Sequence, residues 1–292
     1  MFQGTFTALV TPFAHGRVDE AAFERLIESQ IHAGITGIVA VGTTGESPTL
    51  DHEEHRRVIE LAVQFAKGRC MVIAGTGSNS TAEAIDLTQE SERLGAQAAL
   101  VVAPYYNKPS QEGLFRHYKA IANATTLPIV LYSVPGRCGI EIGVDTCVRL
   151  ARECSNIVAI KEAGGSSERV NALRSALPPT FEVISGDDSL TLPFIAAGAV
   201  GVISVASNVI PKQVCELVDA ALAGKNEEAR RRHYELYHLF RDLFIEANPV
   251  PSKHALALMG QMTPDVRLPL CELSTASAAK LEATLRQLRL IA

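Results

Sequence analysis

The sequence has little that would make the protein basic, membrane-spanning or cross-linked. Lys and Arg number 27 against 32 Asp and Glu in 292 residues, a formal net charge of −5. The chain therefore lacks the cationic excess that a phosphate backbone demands, which excludes nucleic acid as its main partner. A small anionic substrate stays open, because it needs only one or two well-placed cations. No apolar run approaches the roughly 18 residues of a transmembrane helix. The stretch from Met1 to Val10 has no basic start and meets Thr11-Pro12 at once, unlike a signal peptide. The expectation is a cytoplasmic protein without a membrane partner. Six cysteines occur, at 70, 138, 147, 154, 215 and 271, with no C-x-x-C spacing. Scattered through a chain of this length, they read as buried reduced thiols rather than as a disulfide framework. A complete G-x-G-x-x-G fingerprint is also missing, since Gly75-Thr76-Gly77 has no third glycine.

What is present is enough apolar residue, 47% of the chain, to fill a large core. Eight β-rich runs recur: Phe6–Val10, Gly37–Val41, Cys70–Ala74, Ala98–Ala103, Pro128–Val134, Ile157–Ile160, Phe181–Ser185 and Gly201–Val205. Most are continuously apolar rather than alternating, as expected of parallel strands covered on both faces. Helical patterns fill the gaps. Asp19 precedes the face Phe23, Leu26, Ile27 and Ile31, with Gly34 as the stop. Asp51 and Glu54 form a capping-box pattern ahead of Val58, Ile59, Ala62 and Ala66, and Ser80 with Glu83 repeats it. Further helices are predicted near 111–123, 144–153, 167–176, 188–197 and 211–223. Eight strands each followed by a helix predict an α/β fold, the (β/α)8 TIM barrel, over residues 1–224. An open doubly wound sheet is the alternative, but strand one runs into Thr11-Pro12-Phe13, which is no phosphate-binding turn. Residues 225–292 show no strand and read as a C-terminal helical domain, with helices near 226–246, 249–259 and 276–290.

In such a barrel the active site sits at the C-terminal ends of the strands. Lys161 stands there, an ammonium at the end of the apolar run Ile157–Ile160. Desolvation favours its neutral amine, the form that makes a Schiff base with a carbonyl. The plainer reading is a strand-end lysine in water or paired with Glu162. Gly42-Thr43-Thr44-Gly45 offers backbone N–H groups and two hydroxyls for a carboxylate or phosphate, though an ordinary βα turn looks the same. Tyr132 lies near the end of strand five, where a phenol could relay protons to Lys161, though an ordinary strand aromatic is the commoner case. Arg137 follows in Pro135-Gly136-Arg137, where its fork can hold a carboxylate or simply stand solvated in a loop. His52 and His55 lie at i, i+3 on a helix start, whose dipole favours neutral imidazole; they read as surface histidines rather than metal ligands. Asp187 and Asp188 read as caps of the helix that follows them rather than as a magnesium site.

These residues belong to longer strings: V-G-T-T-G-E-S at 41–47, I-A-G-T-G at 73–77, T-A-E-A-I at 81–85 and P-Y-Y-N-K-P-S-Q-E-G at 104–113. Y-S-V-P-G-R at 132–137, I-K-E-A at 160–163, S-G-D-D at 185–188 and G-V-I-S-V at 201–205 complete the set. In this order and spacing, from Gly4 to about Leu270, the chain resembles the dihydrodipicolinate synthase family of the N-acetylneuraminate lyase superfamily. The resemblance implies that Lys161 forms an imine with pyruvate and that the enamine attacks L-aspartate 4-semialdehyde, on the path to diaminopimelate and lysine. It implies a proton relay of Tyr132, Thr43 and Tyr106, with Tyr106 supplied by a neighbouring subunit of a homotetramer built as a dimer of dimers. Thr43 and Thr44 match the pyruvate-carboxylate turn, Gly186 and Ile203 line the site, and Arg137 matches the residue that holds the semialdehyde carboxylate. No cofactor and no metal are implied. Ser47, Pro48, His52, His55, Asn79, Glu83 and Tyr105 match the positions of a feedback site for L-lysine, with Pro48 standing where a small residue is common. Ser133 and Cys138 also depart from the frequent Asn and Thr. Two rival readings are another pyruvate-lysine aldolase, such as a sugar-acid lyase, and a catalytically silent barrel.

Overall fold

Parallel strands that are apolar throughout can satisfy both faces only if helices cover one and other strands close over the other. The computed structural model, which describes residues 1–292, shows that solution. The strands are β1 (Gly4–Ala8), a small hairpin of β2 (Phe13–Ala14) and β3 (Arg17–Val18), then β4 (Gly37–Ala40) and β5 (Met71–Gly75). There follow β6 (Ala98–Val102), β7 (Ile129–Ser133), β8 (Ile157–Glu162), β9 (Glu182–Ser185) and β10 (Gly201–Ser204). Leaving out the hairpin, eight strands close in the order β1-β10-β9-β8-β7-β6-β5-β4, all parallel, with Gly4 opposite Gly201 at the seam. These eight match the eight apolar runs. The hairpin was not among them, because two residues per strand leave no periodicity to read.

The helices are α1 (Glu20–His32), α2 (His52–Ala66), α3 (Thr81–Arg93), α4 (Gln111–Asn123), α5 (Pro135–Cys138) and α6 (Val144–Glu153). They continue as α7 (Ser167–Ala176), α8 (Thr191–Ala196), α9 (Pro211–Leu222), α10 (Asn226–Asp242), α11 (Val250–Leu258) and α12 (Thr275–Gln287). Half of them, α1 to α4, α7 and α12, start where a side chain caps the first turn. Asp19 accepts from the Ala22 N–H at 2.9 Å, and Asp51 from Glu54 N–H at 2.8 Å while Glu54 reaches back to Asp51. Each such cap contributes about 1 kcal/mol by pairing an otherwise orphaned N–H. The last three helices cover one side of the barrel. Leu236, Leu239, Phe240, Leu256, Leu281 and Leu285 share a continuous apolar cluster with Leu9, Val10, Phe13, Phe23 and Val41. That packing brings the α10–α11 connection against the C-terminal end of the barrel, where it touches the turn after β4.

No helix is long and apolar enough to cross a membrane. Five of the six cysteines are buried and free, as expected. Cys271 is exposed, which corrects the reading of all six as buried thiols. It lies in the segment before α12, outside any regular element.

Candidate active site

The turn after β4 begins with a strained residue. Val41 has φ 51°, in the left-handed region that a β-branched side chain rarely enters. Gly75 makes room for it: a Cβ there would lie 2.4 Å from the Val41 carbonyl oxygen. The bend releases Gly42 into a short 3-10 turn, Thr43–Gly45, followed by a second at Ser47–Thr49. Glu46 joins the two, also left-handed at φ 56° and almost wholly buried. Its carboxylate meets Lys253 of α11, with Oε1 2.5 Å from Nζ, and accepts from the Arg267 backbone N–H at 3.1 Å. Lys253 also donates to the Asp265 carbonyl and lies 4.0 Å from the Phe13 ring centroid. The sequence gives no sign of this pair, for 207 residues separate Glu46 from Lys253.

Lys161 lies in β8, opposite Tyr132 of β7 on one side and Ile184 of β9 on the other. Residues in register on parallel strands project to the same face, so Lys161 and Tyr132 lie together. The Lys161 Nζ is 4.3 Å from the centre of the Tyr132 ring. Lys161 is buried and makes no ion pair. The plainer alternative, a pair with Glu162, does not form, because Glu162 turns to Arg169 at 3.0 Å and to the Gly164 N–H. Burial pushes the Lys161 ammonium down to about 8, with the Asp188 carboxylate opposing the fall and the Arg137 guanidinium adding to it. Burial also raises the Tyr132 phenol, against a hydrogen bond with Thr43 and the charge of Arg137. Gly186 leaves space for the lysine stem: a Cβ at that position would sit 3.1 Å from Lys161 Cε and 2.7 Å from Ala163 Cβ.

A measurable consequence follows from the depressed lysine. Only the neutral amine attacks a carbonyl, and its fraction below pH 8 grows about tenfold per pH unit. The second-order rate of imine formation with a 2-oxo acid should therefore rise with slope one to about pH 8 and then level. A profile still rising at pH 10 would show the amine to be unperturbed.

The structure brings Thr43, Tyr132, Arg137, Lys161 and Gly186 to one end of the barrel, with Ile203 fully buried in β10 beside them. Thr44 is buried in the turn, and Asn248 donates from Nδ2 to its Oγ1 at 2.9 Å. Tyr106 is not brought to Lys161 by its own chain; it is 90% exposed at φ 72° in the turn after β6. Asp188 does not cap its own helix, as its sequence position had suggested. Its carboxylate accepts from Ser204 Oγ at 2.5 Å and from the Val205 and Ala206 N–H groups at 3.0 and 2.9 Å, starting the 3-10 turn after β10. Asp187 is the one that stays local, accepting from Ser189 and Leu190.

A cleft of about 430 Å³ runs outward from Thr43, Val134 and Arg137. Its lining also includes Ser47, Pro48, His52, His55, Glu83 and Tyr105. Asn79 is not among its lining residues; its carbonyl accepts from the Asn107 side chain. His52 is exposed, with Nε2 3.4 Å from Glu83 Oε1. His55 corrects the surface reading: it is buried, its Nε2 lies 3.1 Å from the Gly75 carbonyl oxygen, and burial lowers it to about 4, so it is neutral. Its place in the row 55, 58, 59, 62 on the apolar face of α2 was the signal. No three His, Cys, Asp or Glu side chains converge as a metal ion would need.

Comparison with known proteins gives a consistent result. The model of the "Dihydrodipicolinate synthetase family" matches residues 1–288. The 4-hydroxy-tetrahydrodipicolinate synthase of Geotalea uraniireducens is 54% identical over 291 residues, covering 100% of both chains. The solved structure of the 4-hydroxy-tetrahydrodipicolinate synthase of Methylacidiphilum fumariolicum SolV superposes with TM-score 0.98 at 55% identity, over 99% of this chain and 96% of that one. The dihydrodipicolinate synthase of Cyanidioschyzon merolae, solved with lysine bound, superposes with TM-score 0.96 at 42% identity, over 99% of each chain.

Proposed function

The chain belongs to the dihydrodipicolinate synthetase family and is an enzyme of the lyase type; from that premise we propose that it condenses pyruvate with L-aspartate 4-semialdehyde through an imine on Lys161. The observation that carries the reading is a buried lysine without an ion-pair partner, set against a phenol at the end of a barrel strand. The neutral amine attacks the pyruvate ketone, and loss of water leaves the imine. A proton leaves the methyl group to give an enamine, whose carbon attacks the aldehyde. The amino group of the semialdehyde then displaces Lys161 as the ring closes. No cofactor is needed, because the imine itself holds the electrons.

Thr43 and Tyr132 move the protons, extended by Tyr106 of a second copy. Support for that copy is Tyr106 itself, a large aromatic side chain left in solvent on a left-handed backbone. We take the assembly to be a homotetramer made of two dimers. The Thr43-Thr44 turn and Arg137 take the two substrate carboxylates, and Gly186 and Ile203 shape the pocket. The barrel of residues 1–224 holds the chemistry, and residues 225–292 brace it. Five buried unpaired thiols fit a reducing cytoplasm as its place of work. The test is a reductase-coupled assay with both substrates. Turnover of pyruvate and semialdehyde, with no cleavage of sugar acids, supports the reading; sugar-acid cleavage alone makes it a lyase instead. Arg137 favours condensation, since it offers a carboxylate fork where a polyol has no charge to meet it.

L-Lysine is the proposed inhibitor, held in the cleft lined by Ser47, His52, His55 and Glu83. Glu83 suits its ammonium, and a cleft that these residues share with Thr43 and Arg137 suits regulation of the site. Millimolar lysine should lower the rate by more than half, and Glu83→Gln should blunt that response. A rate untouched by lysine would remove the proposal.

A further inference from the structure

Thr44 contributes a buried hydroxyl to the turn, and its hydrogen bonding is one-sided. The Asn248 amide donates to Oγ1 at 2.9 Å, and the hydroxyl's own proton has no acceptor in the protein. A hydroxyl that receives a hydrogen bond keeps its proton for another partner. Asn248 comes from the connection between α10 and α11, 204 residues away, and is itself buried. Its carbonyl oxygen is one of the few buried side-chain atoms without a partner. An apolar residue at position 248 would spare that loss, so the cost is borne for what Nδ2 does.

We propose that Asn248 is a positioning residue that sets the polarity of the Thr44 hydroxyl, keeping the Thr44 proton free to be donated to the carboxylate of a 2-oxo acid. This rests on the reading of Thr43-Thr44 as the carboxylate turn. With a donor on its far side, Thr44 presents a proton to the anion. With an acceptor there, Thr44 would spend its proton on the protein and turn lone pairs towards the substrate. The C-terminal helices thereby act on substrate binding without touching the substrate.

Asn248→Asp separates the two cases, since it keeps the shape and removes the donor. Borohydride trapping of pyruvate on Lys161, read by intact mass against pyruvate concentration, gives the half-saturation point. Asn248→Ala should raise it about tenfold and Asn248→Asp about a hundredfold, the second from a buried anion-facing hydroxyl with the wrong polarity. The KM for the semialdehyde should hold, and melting of the Asp variant should stay within about 4 °C of the parent. In a Thr44→Val background, Asn248→Ala should add nothing, as coupling through Thr44 requires. Equal half-saturation for the Asp variant and the parent, or full additivity with Thr44→Val, overturns the proposal. Absence of any pyruvate adduct on the parent enzyme overturns instead the imine reading beneath it.

Discussion

Lys161→Met should abolish borohydride-trappable pyruvate and lower kcat/KM by at least about a thousandfold, while the protein melts no lower than its parent at neutral pH. The first half follows from losing the covalent route, which no neighbouring group can replace. The second follows from linkage. The folded-state value of about 8 lies below the ordinary 10.5. Between those values the unfolded chain binds more protons than the folded one, so the contribution of this group to stability rises with pH through that window. Below pH 8 the buried ammonium costs the folded state roughly 3 kcal/mol. Methionine fills similar volume without that cost. Lys161→Arg should be equally inactive, because guanidinium cannot give up its proton. Trapped pyruvate in the Met variant would place the imine elsewhere. A drop in melting temperature would make the loss of activity a folding defect.

Lys253→Met should carry the largest penalty in stability. It leaves the Glu46 carboxylate, 1% exposed, without its cation. A buried charge stripped of its partner costs about 3–5 kcal/mol, where replacing both partners by apolar groups is near neutral. For a chain of this size that is a fall in melting temperature of roughly 6–10 °C. The double variant Lys253→Met with Glu46→Gln should recover most of it, since a neutral amide can still accept from the Arg267 N–H. Thermal melts of the two single variants and the double settle the matter. A fall in the single Lys253 variant as small as that of an ordinary surface change would mean that Glu46 finds another partner, with Arg267 the nearest cation.

The strands were legible because closure buries both faces, so most strands are written as apolar runs such as Ala98–Val102. The early helices were legible from their caps, which are local chemistry: Asp51 and Glu54 are three residues apart and serve each other. Lys161 was legible for a related reason, as a charge set against an apolar run. What failed was anything whose partner lies far along the chain. Asp188 has the chemistry of a cap, and it does cap a turn, but the turn is at 206–208. Asn248 and Lys253 sit in an ordinary Pro-rich stretch, and only the packing of α10 on α9 and of α11 on the 3-10 turn after β10 shows what they hold. His55 was a different failure. Its place on the apolar face of α2 was there to be read, and the pairing with His52 drew attention away from it.

The seam between β1 and β10 has a consequence for the order in which the protein is made. β1 leaves the ribosome early and gains β4 on one side, but its other edge waits for residues 201–204. Asn208 then latches the seam, donating to the Ala8 carbonyl at 2.7 Å and accepting from the Val10 N–H at 3.1 Å. Until that moment the growing sheet has two open edges able to recruit strands from other chains. Completion of the ring removes both edges at once and sets β10 against β9, the strand next to that of Lys161. The nascent chain therefore loses its aggregation-prone edges in the same event that closes the barrel around its strand ends.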